Sequence, residues 1–303
     1  MLNEKHNEDC YEKNYGIVHS GGAFGCAFGV SIEYELAHHF RFPPPKIRLA
    51  SSGGVINESL ASASQHAEGL EMLKDKFSHP SLVSTPVLRE GEFVKRVKIN
   101  QIIEEVRKIL DFDRLVASPT NTIVAATECK SGDPHFFDSH SFHTWEREDW
   151  LTCMTASSAI PGHHPHVQIN GTEYMDGDVG ISLSSLIVKA FSYDIDWLIV
   201  INNRSQRELF NSNTLIDVGS MVMDSNFRNA LKKRWEKTKT DEAALKAHKK
   251  NIVYFSPSSP LPTRGLNNTP WAIEECIRKG TAESRRGGVL WKLRDDLVGH
   301  MEF

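Results

Sequence analysis

An α/β protein with a largely parallel central sheet is what this sequence predicts, and three observations carry that expectation. Short apolar runs of strand length alternate with longer segments of helical period from residue 15 onward. Two of those runs, residues 15–19 and 47–51, lead straight into small-residue turns that open helices. Neither an internal repeat nor a clear linker interrupts the pattern, so residues 1–303 are expected to form a single domain, with 1–14 as a loose polar lead-in.

In chain order, the strand candidate at 15–19 runs into Ser20-Gly21-Gly22-Ala23-Phe24-Gly25, and an apolar stretch from 26 to about 40 follows. A glycine-rich turn opening a helix exposes backbone N–H groups and is suited to an anion. A nucleotide loop would need a following Gly-Lys-Ser/Thr or an acidic ribose partner, and neither is present. Phe42-Pro43-Pro44-Pro45 breaks the chain before the second strand, and residues 60–77 continue its helix. Residues 79–90 carry two prolines and predict a loop. Residues 93–110 are apolar at Phe93, Val94, Val97, Ile102, Ile103, Val106 and Ile109, which predicts one or two amphipathic helices. A buried strand is expected at 121–127, a turn at 131–134, a hairpin partner at 135–138 and a helix at 147–158. Asn170-Gly171 between 167–169 and 172–175 signals a tight hairpin, and Asp176-Gly177-Asp178 follows it at once. A strand at 196–201, a long helix from about 214 to 250, a strand at 252–255 and a helix at 271–286 complete the pattern.

The chemistry concentrates at Ser52. It occupies the strand-to-helix turn with Ala50 before it and Gly54 after it, the small neighbours a nucleophile elbow requires. The helix starting near Gly53 would aim free N–H groups and its positive dipole end at a reacting oxygen. The competing expectation is a tight turn with a helix-capping serine.

Composition sets the bounds. A hydrophobic content of 40% and a charged content of 24% are those of an ordinary globular chain. A net charge of -4 argues against a general nucleic-acid binder. The five cysteines (Cys10, Cys26, Cys129, Cys153, Cys276) form no CxxC pair, which fits a reducing compartment and offers no metal-ligand spacing. No signal-peptide core and no run of about 18 apolar residues is found, so a cytoplasmic location is expected, with signal-less export the alternative.

The glycine loop at 20–25, the turn at Ser52 and the aspartate turn at Asp176 together resemble the patatin-like phospholipase family, whose pattern is a Gly-Gly-Gly-x-Arg/Lys-Gly loop, a Gly-x-Ser-x-Gly elbow and an Asp-Gly-Gly/Ala turn. Residues 126–134 (ATECKSGDP) are similar to the family's Ala-Thr-Asp segment, and residues 156–162 (ASSAIPG) to its Ala-Ser-x-Ala-x-Pro segment. The resemblance covers residues 15–200 in matching order. It implies a three-layer α/β/α fold and hydrolysis of acyl esters of phospholipids or lysophospholipids. The implied dyad is Ser52 as nucleophile and Asp176 as base, with Gly177 in the dyad turn and Gly21, Gly22, Ala23 and Gly53 as oxyanion donors. No metal and no cofactor is implied. This chain departs from the pattern at Ser20, Phe24 (in place of the basic residue), Ala50, Asp178, Ser182 and Ser184.

Two readings compete with that one: a non-catalytic lipid- or partner-binding module on the same fold, and an esterase with a Ser-His-Asp triad drawing on the fourteen histidines. His163-His164-Pro165-His166 is the densest histidine group and raises metal binding, but no carboxylate or cysteine at ligand spacing completes a site; it and His19, which abuts the glycine loop, are expected to be structural. Residues 228–250 hold nine basic and three acidic side chains beside Phe227, Leu231, Trp235 and Leu245, which raises peripheral contact with anionic lipid against the ordinary solvated helix face.

Overall fold

A computed structural model describes residues 13–83, 87–89, 92–94, 97–141, 146–205, 225–247, 251–263 and 266–298. The strands are β1 (Tyr15–His19), β2 (Ile47–Ser51), a detached ribbon of β3 (Val87–Arg89) and β4 (Glu92–Val94), then β5 (Asn121–Glu128), β6 (Pro134–Asp138), β7 (Val167–Ile169), β8 (Thr172–Met175), β9 (Trp197–Ile201) and β10 (Asn251–Phe255). Eight of them form one mixed sheet in the order β10-β9-β1-β2-β5-β8-β7, with β6 also on β5. The five strands from β10 to β5 are parallel, while β6, β8 and β7 pair antiparallel.

The parallel strands are apolar at nearly every position because both faces are covered. In β9, Ile199 and Ile201 enter the larger core while Leu198 and Val200 enter the smaller one. The larger core lies under α1 (Ala27–Tyr34), α2 (Gly54–Ser62), α3 (His66–Met72), α4 (Ile99–Ile109), α5 (Phe112–Ala117) and α6 (Arg147–Ser158). On the other face, beyond the short turn α7 (Gly177–Gly180), α8 (Leu183–Ala190) packs Leu186, Ile187 and Ala190 against Val18, Leu49, Ile123 and Val200. Then come α9 (Ser225–Ala247), α10 (Pro270–Ser284) and α11 (Val289–Val298). The result is the expected three-layer α/β/α arrangement.

Strand order reverses at β1: the chain moves outward through β2 and β5, then returns to add β9 and β10 on the other side. In open α/β sheets the crevice beyond the strand ends at such a reversal is where ligands bind. The loop after β1, the elbow after β2 and Asn202–Arg204 after β9 all lie at that end.

Several boundaries differ from the sequence expectation. The helix expected through 60–77 is broken at Ala63–Gln65, where Ser64 takes a left-handed φ of 59°, and it resumes as α3 with a wider turn over Leu73–Phe77. The amphipathic helix expected from 93 starts at Ile99, and Glu92–Val94 is strand. The loop expected at 79–90 contains a short 3-10 turn, Pro80–Leu82, and β3. Of the helix expected at about 214–250, 214–224 and 248–250 lie outside the described residues. The short helices α5 and α8 and the terminal α11 fall where the sequence pattern predicts no helix.

Candidate active site

Ser52 sits between β2 and α2 with φ 51°, a left-handed conformation that is costly for a residue with a Cβ and recurs at strained functional turns. The turn is tight because α2 leaves close to the end of β1. A Cβ on Gly54 would lie 3.0 Å from the carbonyl oxygens of both His19 and Ser20, and 3.5 Å from the Ala50 Cβ. Ala50, fully buried, is therefore accommodated where the usual elbow has glycine, because the residue across from its methyl group has no side chain.

The turn is held from below by Ser157 of α6. Its hydroxyl accepts from the Ser52 N–H at 2.9 Å and donates to the Ala125 carbonyl at 2.6 Å. This gives the ASSAIPG segment a physical task that the sequence did not reveal. Ala159 of the same segment accepts from the Asp176 N–H at 3.0 Å. Thr127, in the segment similar to the family's Ala-Thr-Asp, donates to the Asp176 carbonyl at 2.9 Å and accepts from the Gly180 N–H at 2.9 Å. Two distant stretches thus fix the aspartate turn.

The two predicted dyad residues meet. Ser52 Oγ donates to Asp176 Oδ2 at 2.7 Å, and Asp176 Oδ1 accepts from the Asp178 N–H at 2.8 Å. Asp176 is buried at 2% exposure. Burial, reinforced by the neighbouring Asp178 carboxylate, pushes its pKa up to about 8 against the pull of the Ser52 hydrogen bond, the Asp178 N–H and Arg204. Gly177 presses on β5, where a Cβ would lie 2.3 Å from the Ala125 carbonyl oxygen.

The predicted oxyanion residues gather at the same point. Gly22 (φ 150°) and Ala23 (φ 47°) turn the chain into a 3-10 turn, Ala23–Cys26. A Cβ on Gly21 would stand 2.6 Å from the Ser52 Cβ, so this loop lies directly against the elbow. Gly53 caps α2, where the first N–H groups of the helix have no intrahelical partner. Asn203, after β9, donates to the carbonyl of Ser20 at 2.8 Å and steadies the loop, a contact between residues too far apart for sequence spacing to show.

A pocket of about 40 Å³ opens beside Ser52, room for about three waters. Apart from Ser52 and its turn, its lining is dominated by Phe24, Ile56, Leu73, Phe77, Ile102 and Ile103. Phe24, where the family pattern has a basic residue, is buried and meets Phe77 edge-to-face at 6.5 Å. The departure therefore replaces a charge with pocket wall.

His19 and His164 bond to other partners than Ser52 and Asp176. His19 Nδ1 pairs with Glu58 Oε1 at 2.8 Å, inside a sealed cluster where Arg48 Nη1 bonds Glu58 and Glu33 at 2.7 Å each. His164 bonds Asn100 Oδ1 at 2.8 Å. Among the described residues no group of three or more His, Cys, Asp or Glu side chains is placed to hold a metal ion.

Comparison with known proteins bears on the same stretch. No curated protein matches the chain. The structure of VipD from Legionella pneumophila aligns with 88% of this chain and 67% of that chain at 10% identity, with a TM-score of 0.35. The family model for patatin-like phospholipases matches residues 17–183, a span that begins in β1, passes through the glycine loop and the elbow, and ends just after the aspartate turn. With more than half of its length inside that match, the chain belongs to the patatin-like phospholipase family, whose members are generally lipid acyl hydrolases.

Proposed function

We propose that this chain hydrolyses acyl esters of phospholipids or lysophospholipids through a Ser52–Asp176 dyad, without calcium. The observation that supports it most is the 2.7 Å hydrogen bond from the hydroxyl of a strained serine to a buried carboxylate, beside an apolar pocket. Asp176 takes the Ser52 proton as Oγ attacks the ester carbonyl. An aspartate in water, with a pKa of about 4, is a poor base at neutral pH, and a raised pKa makes it a better one. Negative charge developing on the carbonyl oxygen is met by N–H groups of Gly21, Gly22, Ala23 and Gly53, each such donor lowering a barrier by about 2.7–4 kcal/mol. The leaving alcohol takes the proton from Asp176, and water, activated by the same carboxylate, releases the acyl group from Ser52. The apolar lining suits an acyl chain, with longer chains requiring the pocket to widen.

For the surface, we propose that α9 makes peripheral contact with anionic lipid. Arg228, Lys232, Trp235, Lys239 and Lys246 are exposed along one stripe of that helix, at spacings of four, three, four and seven residues. Phe227 and Ala230 face inward. Basic side chains around an exposed tryptophan match a negatively charged interface. No helix among the described residues is long and apolar enough to cross a membrane.

The test is lipid turnover by purified protein with mixed phospholipids, beside fluorophosphonate labelling. Ser52→Ala and Asp176→Asn should each reduce turnover by on the order of 10⁴-fold or more, and Ser52→Ala should abolish labelling. Undiminished turnover in Ser52→Ala would refute the dyad. Vesicle binding that ignores phosphatidylserine content would remove the role of α9.

A further inference from the structure

The aspartate turn carries a second acid that the dyad does not use. Asp178 stands where the family pattern has glycine or alanine. Its backbone N–H serves Asp176, and its side chain reaches the other way. Oδ1 accepts from Ser51 Oγ at 2.5 Å and Oδ2 accepts from Arg204 Nη2 at 3.1 Å. A Cβ built on Gly21 would lie 2.3 Å from Asp178 Oδ2, so the carboxylate is wedged between the elbow and the glycine loop. Arg234 of α9 donates to the Asp178 carbonyl. The Asp178 and Arg204 side chains are 14% and 23% exposed, so water screens the pair only weakly.

The charge is informative. A carboxylate so close to the oxyanion loop opposes negative charge forming there, and it opposes ionisation of Asp176. A cation on its outer oxygen offsets both. The titratable and charged groups facing Asp176 are Ser52 from the elbow, Asp178 on its own turn, Arg204 after β9, Arg234 from α9 and the Cys26 thiol after the glycine loop, which burial keeps protonated. Asp178 and Arg204 are bound to each other, and they act on Asp176 with opposite sign.

We propose that Asp178 and Arg204 are an opposed pair of positioning residues that sets how tightly Asp176 holds its proton, and so the pH at which the dyad works. Asp178 strengthens Asp176 as a base; Arg204 limits that effect and keeps the oxyanion loop from facing an unbalanced carboxylate. This rests on the Ser52–Asp176 dyad. Neither residue lines the pocket beside Ser52.

The experiment is a pH–rate profile of the full chain on a short-chain p-nitrophenyl ester, with fluorophosphonate labelling rates at the same pH values. It compares wild type with Ser52→Ala, Asp178→Asn, Arg204→Gln, Arg204→Lys and the Asp178→Asn/Arg204→Gln double variant. Asp178→Asn should move the acidic limb down by about one pH unit and lower the plateau several-fold, because a weaker base is left. Arg204→Gln should move the limb up by about one unit. The double variant should fall between them, and Arg204→Lys should stay near wild type. A merely structural brace would lower the rate without shifting the two limbs in opposite directions. The proposal is overturned by unchanged midpoints, by shifts of the same sign, or by loss of labelling in variants that melt like wild type. Should Arg204→Gln not fold, Asp178→Asn and Arg204→Lys still decide the sign. Equal turnover by Ser52→Ala and wild type, read first, would instead remove the dyad itself and the pair with it.

Discussion

Two buried sites in this molecule have nearly the same charge inventory and different surroundings. Behind the elbow helix, Arg48 lies between Glu33 and Glu58, and His19 completes the group. At the elbow, Arg204 serves Asp178, and Asp176 lies beside it. Each holds two carboxyl groups and one arginine bonded to a carboxyl, and in each one carboxyl is pushed up to about 8, chiefly by burial: Glu33 in the first, Asp176 in the second. In the sealed cluster burial also works to raise Glu58, but the Arg48 charge and the His19 bond overcome it and hold Glu58 at about 2. A raised carboxyl pKa therefore does not by itself mark a catalytic acid or base. What separates Asp176 from Glu33 is the hydroxyl it accepts from, the left-handed turn that presents that hydroxyl, and the apolar pocket at its side.

Removing the shared arginine of the sealed cluster should have the largest effect. Arg48→Met leaves two buried carboxyls without their cation and should cost about 3–5 kcal/mol in urea unfolding, while folded molecules still label at Ser52. A cost below about 1 kcal/mol would mean that the cluster is solvated. Stability should also depend on pH at both sites. Glu33 and Asp176 bind protons more tightly folded than unfolded, so their stabilising contribution is complete below pH 4 and is lost as pH rises through about 8. Asp176→Asn and Glu33→Gln should each gain melting temperature relative to wild type between pH 6 and pH 9, and of the two only Asp176→Asn should abolish turnover. Ser157→Ala should cost about 1–3 kcal/mol, by leaving the Ser52 N–H and the Ala125 carbonyl without their shared partner, and should slow labelling. The smallest effect on chemistry belongs to His19→Gln, which should keep turnover per folded molecule close to wild type. Loss of hydrolysis there, with activity retained in Asp176→Asn, would restore a histidine triad.

What the sequence made legible was local. The elbow, the glycine loop and the hairpin leading to Asp176 are set by small residues at fixed short spacings, and each appears where expected. The meeting of Ser52 with Asp176 was expected only through the family resemblance, because no periodicity links two turns so far apart. Less legible were features without a local signature. Ser64 breaks a helix in a left-handed conformation usually given to glycine or asparagine. The Asp178–Arg204 bond joins the ends of two strand connections across the site. Phe24 registered as a lost charge, and only the packing against Phe77 turned it into a pocket wall.

The Gly21 α-carbon is so closely flanked by the Ser52 Cβ and the Asp178 carboxylate that its hydrogens are all the site has room for. Swapping one of them for a methyl would work as a plug, jamming the site while every reactive group stayed in the chain. On the proposed dyad, a Gly21→Ala protein would be the natural decoy: folded like the wild type, and without turnover.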